Sequence, residues 1–253
     1  MFWESFVFII GAAIGSFLNV CIYRMPAGES IIKPGSKCPH CQHPLRIYDN
    51  LPIISFIWLK GKCRDCGAKI SWRYPIVELL TAVVALMLFF KYGFTLKLLA
   101  SFIFVAALII ITFIDLDHQI IPDVITLPGI PLSFLAAVFI MKIPWKESLA
   151  GFLIGGGVLF AIAVVYELIT KREGMGGGDI KLLAMIGAFF GWKSLLFILL
   201  VSSFFGAIAG LIVILIKKQD MKYAVPFGPF LSAAAVAYFF WGEIITRAFL
   251  IGV

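Results

Sequence analysis

Long apolar stretches dominate this sequence and constrain its fold more than any other feature. Hydrophobic residues make up 62% of the chain and charged residues only 14%, against about a quarter charged in soluble domains. The alternating pattern of a membrane barrel is absent, so helices are the remaining way to cross a bilayer. We therefore predict an all-α, multi-pass membrane protein with eight helices. They are expected at about 3–23, 75–91, 96–114, 124–141, 148–168, 180–192, 194–216 and 224–242.

The basic residues predict how these helices are oriented. Nine of the 21 Lys and Arg residues lie in the long polar segment 24–74, and loops rich in Lys and Arg remain in the cytoplasm. With eight helices, both termini are then expected outside. The stretch 3–23 lacks a basic leader and a good cleavage site, so we expect it to stay as the first span. The net charge of +7 reflects this topology and gives no reason to expect a nucleic-acid partner.

Segment 24–74 contains two C-x-x-C pairs, Cys38/Cys41 and Cys63/Cys66. This spacing is typical of a four-thiolate zinc ribbon, in which each pair gives two ligands to one tetrahedral ion. Gly67 after the second pair suits the tight turn of such a knuckle. Two disulfides are the alternative, but a cytoplasmic loop is reducing. We expect a closed structural zinc site that staples a loop of little core.

Acidic residues near membrane depth are costly and require an explanation. Asp115 ends the third predicted span and is followed by Asp117 and Asp123, which we interpret as solvated loop residues. Asp179 follows the glycine-rich run 174–178 and precedes the sixth span. A helix cap would explain Asp179 alone. It would not explain the glycines, which allow close approach to another helix or a peptide.

A pairing of Asp115 with Asp179 accounts for both residues. Two carboxylates that share one proton can hydrolyse an amide, because one activates water and the other protonates the carbonyl oxygen. Asp115 lies at a helix C-terminus and Asp179 at a helix N-terminus. The helix dipoles therefore predict that Asp179 is more often the ionised partner.

At these residues the chain resembles the type IV prepilin leader peptidases, which are GxGD-type membrane aspartyl proteases. The resemblance covers nearly the whole chain in the family's order. Its motifs are Gly15–Val20 with Tyr23–Pro26, the two cysteine pairs, Arg73–Glu78, the D-x-D-H-x-x-x-P-D stretch from Asp115, and Gly176–Leu182.

The resemblance implies an activity and its residues. Such enzymes cut the basic leader of prepilins and type II secretion pseudopilins at the cytoplasmic face of the bacterial inner membrane. Bifunctional members then methylate the new N-terminal amine with S-adenosylmethionine. Asp115 and Asp179 carry over as catalytic, without a metal in the peptidase chemistry, and Gly176, Gly178 and Lys181 as the active-site loop.

The domain organisation follows the same motifs. Residues 1–95 are expected to hold two membrane helices, the cysteine loop and the methyltransferase part. Residues 96–253 are expected to form a six-helix peptidase domain. No glycine-rich nucleotide fingerprint is present, so the candidates for binding S-adenosylmethionine are polar groups at membrane depth: Asn19, Arg24 and Glu78. Each of them could instead be structural, with Arg24 anchoring the first span or Glu78 pairing with Arg73 or Arg24.

Two other functions remain open from the residues alone. Membrane aspartates also serve as proton or cation relays, so a coupled transporter with a metal-sensing cytoplasmic loop is the main alternative. A transporter of that kind is expected to show repeat symmetry, which this sequence lacks. A structural scaffold is the second alternative, but it leaves the Asp115/Asp179 arrangement unexplained.

Overall fold

The fold is all-helical in the part of the chain that the computed structural model describes, residues 2–171, 176–217 and 225–250. Gly174 and Met175 of the glycine run lie outside these residues. The helices are α1 (Phe2–Arg24), α2 (Ile54–Trp58), α3 (Arg73–Tyr92), α4 (Leu96–His118), α5 (Asp123–Leu135), α6 (Trp145–Thr170), α7 (Gly177–Phe190), α8 (Lys193–Lys217) and α9 (Gly228–Leu250). A π turn, Ala136–Ile140, continues α5.

Every predicted span corresponds to a helix, and fewer than the predicted eight reach membrane-spanning length in the described residues. Six helices in the described residues are long and apolar enough to cross a membrane: α1, α3, α4, α5 with its π turn, α6 and α8. The sixth predicted span is α7, which has 14 residues. At 1.5 Å per residue it is about 21 Å long, short of the roughly 30 Å hydrocarbon core. The eighth is the apolar part of α9, Gly228–Gly242.

The chain divides into two compact units, Met1–Ile110 and Ile111–Val253. The division falls inside α4, after the predicted domain boundary at residue 95, and that boundary stays a prediction.

In the first unit, α1 packs closely on α3 because α1 carries glycines on the contacting face. A Cβ atom at Gly11 would lie 2.8 Å from the Ala82 Cα, and one at Gly15 would lie 2.7 Å from the Glu78 Cα. Any larger residue would push the two backbones apart. This close contact buries polar residues of both helices, including Asn19 and Glu78.

In the second unit, α6 and α7 make a similar contact. The backbones of Gly151 and Gly187 touch, and a Cβ atom at Gly155 would lie 2.7 Å from the Leu183 carbonyl oxygen. The Ser148 hydroxyl donates a hydrogen bond of 2.5 Å to the Ala188 carbonyl across the same interface. Small residues commonly permit such helix contacts in membranes. This packing fixes α7, whose first turn carries Asp179.

Candidate active site and metal centre

Asp115 lies in the last turn of α4, which continues to His118. The expected end of this helix at residue 114 is therefore wrong, and Asp115 and Asp117 are helical rather than in a loop. The Asp115 side chain is only 5% exposed. Its Oδ2 accepts a hydrogen bond of 3.0 Å from the Gly228 amide at the start of α9. A helix N-terminus is a favourable partner for a carboxylate.

Asp179 lies in the first turn of α7, before the predicted span 180–192. Its Oδ1 is buried and has no hydrogen-bond partner among the described residues. Burial, and secondly the charge of Asp115, raise the pKa of Asp179 to about 7. The two carboxyl groups are therefore close enough to interact electrostatically, as the sequence hypothesis requires.

Ile121 lies close to the first turns of α7 and α9, the two helices that contribute Asp179 and the Gly228 amide to the site. A Cβ atom at Gly178 would be 2.8 Å from the Ile121 Cβ, and one at Gly228 would be 3.1 Å from its Cδ1. The same Cβ atom at Gly228 would lie only 2.7 Å from the Asp115 Oδ2. These two glycines thus let α7 and α9 approach the connection after α4. Gly176 has open space around it, so crowding does not explain that glycine.

These contacts bear on which of the two carboxyl groups holds the shared proton. The amide hydrogen bond to Asp115 favours its charged form, whereas the burial of its side chain disfavours it. Asp179 has a buried oxygen without a donor, and its raised pKa favours the protonated form. The dipole argument takes no account of the N-terminus of α9, which faces Asp115 although Asp115 ends its own helix. Which of the two carboxyl groups is ionised therefore stays a prediction.

Lys181 was expected in an active-site loop, but it belongs to the first turns of α7, as does Gly178. Its ammonium group pairs with both oxygens of Asp123, at 2.6 and 2.8 Å. Asp123, expected to be a solvated loop residue, is instead the first residue of α5 and the partner of Lys181. Both side chains are substantially exposed, so the pair joins α5 to α7 with little effect on stability.

The cysteines of segment 24–74 form one cluster, which we call the four-cysteine centre: Cys38, Cys41, Cys63 and Cys66. All four Sγ atoms lie within 4.8 Å of one another, and those of Cys38 and Cys66 are 3.9 Å apart. Tetrahedral zinc with Zn–S bonds of about 2.3 Å requires sulfur separations of about 3.8 Å. The described cysteines are free rather than disulfide-bonded. The donor set and its spacing fit zinc.

Each half of the centre is a knuckle with the same backbone turn. In the first, the Cys38 amide bonds to the His43 carbonyl; in the second, the Cys63 amide bonds to the Ala68 carbonyl. Gly67 has φ of 71°, as its place in the second knuckle predicted, whereas Gln42 occupies the equivalent place with φ of 59°. The second knuckle is also held by an ion pair, in which the Arg64 guanidinium lies 2.7 Å from the Asp49 carboxylate.

The thiol pKa values show how strongly the four sulfur atoms influence one another. The Cys41 amide is the main cause that lowers the pKa of Cys38 to about 7. The His43 amide lowers the pKa of Cys41. Desolvation and hydrogen bonds with the other three cysteines outweigh this effect and raise the pKa of Cys41 to about 12. Without a metal ion, one thiolate makes the next harder to form. A divalent cation relieves this repulsion.

The candidates for cofactor binding lie in the first unit but have different partners. Asn19 donates to the carbonyls of Gly15 and Tyr74, and its Oδ1 is buried without a partner among the described residues. Glu78 accepts from the Ile53 amide at 2.7 Å and interacts with the Ser16 hydroxyl. Asn19 and Glu78 share the α1–α3 interface.

Arg24 has a different environment. It donates to the carbonyls of Ser30 and Gly35, at 2.9 and 3.2 Å. These bonds hold the chain that leaves α1, which fits the structural alternative for this residue.

Sequence reasoning suggested a place beside the active site for the stretch that contains Gly228, but it identified neither the contact of Gly228 with Asp115 nor Ile121. The Pro226–Phe230 stretch, with its two prolines around a glycine, signals an interrupted helix start that must face protein or a cavity. It gives no indication that the amide of Gly228 reaches Asp115. Ile121 has no sequence signal, because isoleucine is common throughout this chain.

Comparisons with known proteins match both parts of the chain. The profile described as "Bacterial Peptidase A24 N-terminal domain" matches residues 9–92, and that described as "Type IV leader peptidase family" matches residues 102–211. No solved structure matches the chain.

Curated relatives match nearly the full length. The chain is 39% identical to the prepilin leader peptidase/N-methyltransferase of Aeromonas salmonicida, covering 97% of this chain and 93% of the relative. Proteins of the same name from Dichelobacter nodosus and Pseudomonas aeruginosa are 40% and 36% identical, each over 96% of this chain and 93% and 91% of the relative. This similarity agrees with the motifs, and the chain belongs to the type IV leader peptidase family.

Proposed function

We propose that this protein cleaves the basic leader from prepilins or pseudopilins, with Asp115 and Asp179 as the catalytic pair. The observation that carries the proposal is the pairing itself. The Asp115 carboxyl accepts a hydrogen bond of 3.0 Å from the Gly228 amide, and Asp179 presents a buried oxygen without a partner among the described residues. One carboxylate and one carboxylic acid at the same site are the requirement for acid–base hydrolysis of an amide.

The arrangement supports a defined division of labour. The Asp115 carboxylate takes a proton from water, whose oxygen attacks the scissile carbonyl carbon, while Asp179 gives its proton to the carbonyl oxygen. Asp115 then returns its proton to the amide nitrogen as the C–N bond breaks. Asp179 recovers a proton from the hydroxyl of the tetrahedral intermediate. The pair ends in its starting state, and no metal enters this cycle.

The site is proposed to face the cytoplasm of a bacterial inner membrane, with both termini outside. The six apolar helices long enough to cross a bilayer and the basic loop 24–74 support this orientation. A basic leader would meet the site near an anionic membrane surface, where the helix of the substrate lies in the same bilayer.

We further propose a second activity, N-methylation of the new N-terminal residue by the first unit. S-adenosylmethionine supplies the methyl group as a sulfonium cation. Its positively charged sulfonium and amine groups are expected to bind near oxygen atoms that accept hydrogen bonds or carry negative charge. The α1–α3 interface offers two such groups, the Glu78 carboxylate and the Asn19 Oδ1, which has no hydrogen-bond partner among the described residues. The N–H groups of Arg24 already bond to backbone carbonyls, so we propose a structural role for this residue.

The four-cysteine centre is proposed to bind structural zinc.

One reaction tests both activities. The purified protein in lipid is incubated with a prepilin-like substrate and labelled S-adenosylmethionine, beside Asp115→Ala and Asp179→Ala. We expect each substitution to lower cleavage on the order of 10⁴-fold. A pre-cleaved substrate should still be methylated by both variants, and Asn19→Ala or Glu78→Ala should lose methylation with cleavage intact. Cleavage absent from the wild type, or unaffected by both aspartate substitutions, would leave the transporter alternative.

A further inference from the structure

A groove in the first unit has no role in the proposed reactions. It has a volume of about 700 Å³ and lies where the loop 53–70 meets the start of α3. The apolar part of its lining includes Ile53, Phe56, Ile57, Ile70 and Leu79. Phe56 packs against Trp72 with ring centroids 4.8 Å apart and the rings tilted by 59°, which gives one wall an aromatic surface.

The groove is continuous with the outer face of α3. Ile76 and Leu79 belong to its lining and are also 50% and 48% exposed. The exposed side chains Val83, Met87 and Phe90 continue this stripe at helical spacing along a helix of membrane-spanning length. The opposite face of α3 carries Val77, Thr81 and Ala85, which are buried. An acyl chain on the exposed stripe would therefore enter the groove without leaving an apolar environment.

Lysines give the groove its charge. Lys60, Lys62 and Lys69 belong to the lining, and the described residues that line the groove include no carboxylate. This charge disfavours cationic occupants, including a basic leader peptide and S-adenosylmethionine. It favours an anion, and the groove's size and apolar walls require that the anion carry a hydrocarbon portion.

We propose that the groove binds one anionic phospholipid, with its headgroup on Lys60, Lys62 and Lys69 and an acyl chain along Ile76 and Leu79. The bound lipid fastens the second knuckle of the four-cysteine centre to the bilayer surface, because Lys62 immediately precedes Cys63. Aromatic residues such as Trp72 favour this interfacial depth.

Lipid retention by the full chain tests the proposal. The protein is exchanged into micelles that contain phosphatidylglycerol or phosphatidylcholine, and bound lipid is counted by native mass spectrometry. We expect one tightly held phosphatidylglycerol and no equivalent phosphatidylcholine. The triple variant Lys60→Gln/Lys62→Gln/Lys69→Gln should bind phosphatidylglycerol on the order of a hundredfold more weakly. The matched triple Lys33→Gln/Lys37→Gln/Lys91→Gln removes the same charge elsewhere in the unit and should retain it.

A second measurement does not depend on the folding of the lysine variant. Phosphatidylglycerol brominated on its acyl chain should quench the fluorescence of Trp72, and Trp72→Phe should remove the component quenched at the lowest lipid concentration. Equal retention of both lipids by the wild type would overturn the proposal. So would equal losses in the two lysine triples, or quenching that Trp72→Phe leaves unchanged.

Discussion

The four-cysteine centre and the aspartate pair differ in how much of their environment is local in sequence. Cys38 and Cys66 are 28 positions apart, and each knuckle closes its own turn with hydrogen bonds between residues close in sequence. Asp115 depends on the amide of Gly228, 113 positions away. A metal centre built from local turns can be disrupted through its ligands, whereas the aspartate pair can also be disrupted through a distant backbone contact.

The largest expected effect is on the four-cysteine centre. Cys63→Ser removes one of four thiolates, and the apparent zinc affinity should fall because binding by such sites is worth on the order of 10 kcal/mol. We expect bound zinc, measured by elemental analysis, to drop well below one ion per chain. The fifth cysteine provides the control. Cys21 is buried in α1, and Cys21→Ala should keep the full zinc content. An equal loss in both variants would show that the four cysteines do not hold the metal.

The next largest effect is expected on leader cleavage, from a substitution at Gly228. Gly228→Ala places a Cβ atom 2.7 Å from the Asp115 Oδ2, so the carboxylate or the start of α9 must move. A displacement of this size can cost on the order of a hundredfold in the rate of leader cleavage. Gly177→Ala is the matched control, since a Cβ atom there meets nothing within 4 Å. If both variants cleave as fast as the wild type, the Gly228 contact does not support Asp115.

The smallest effect concerns the two knuckle turns. Gln42 adopts φ of 59° where the second knuckle has glycine, and a left-handed conformation costs a non-glycine residue roughly 1 kcal/mol. Gln42→Gly should therefore stabilise the zinc-loaded loop by up to about that amount, and Gly67→Ala should destabilise it similarly. Zinc competition with a chromogenic chelator would measure both. If both substitutions changed the zinc affinity in the same direction, the two turns would not be equivalent.

This difference also explains which features could be predicted from the sequence. The cysteine cluster and the turn at Gly67 follow from spacing, because a knuckle is specified by residues next to one another. Asp115 and Asp179 were identifiable as costly charges, with Asp179 beside glycines. Their protonation could not be settled from the sequence, because the amide donor to Asp115, Gly228, belongs to α9 and is 113 positions away.

The lengths of the predicted spans differ from the observed helices for a related reason. Apolar composition predicts burial, but it does not distinguish a helix that crosses a bilayer from a short one packed against neighbours. The α7 helix is apolar along most of its 14 residues because Leu182–Phe189 is buried. Its contact with Gly151 and Gly155 depends on tertiary structure. The lysine contact with Asp123, 58 positions from Lys181, is equally invisible in the sequence.

The central claim is that Asp115 and Asp179 share one proton, held by Asp179 below pH 7. The pKa of Asp179 is raised to about 7, so its proton is present at lower pH and is lost as the pH rises through 7. Infrared titration of the carboxyl stretch tests this directly in the wild type, Asp115→Asn and Asp179→Asn. We expect a protonated-carboxyl band that disappears near pH 7, is absent from Asp179→Asn, and titrates at lower pH in Asp115→Asn, where the repelling charge is gone. A band that survives in Asp179→Asn and is missing only from Asp115→Asn would contradict the claim.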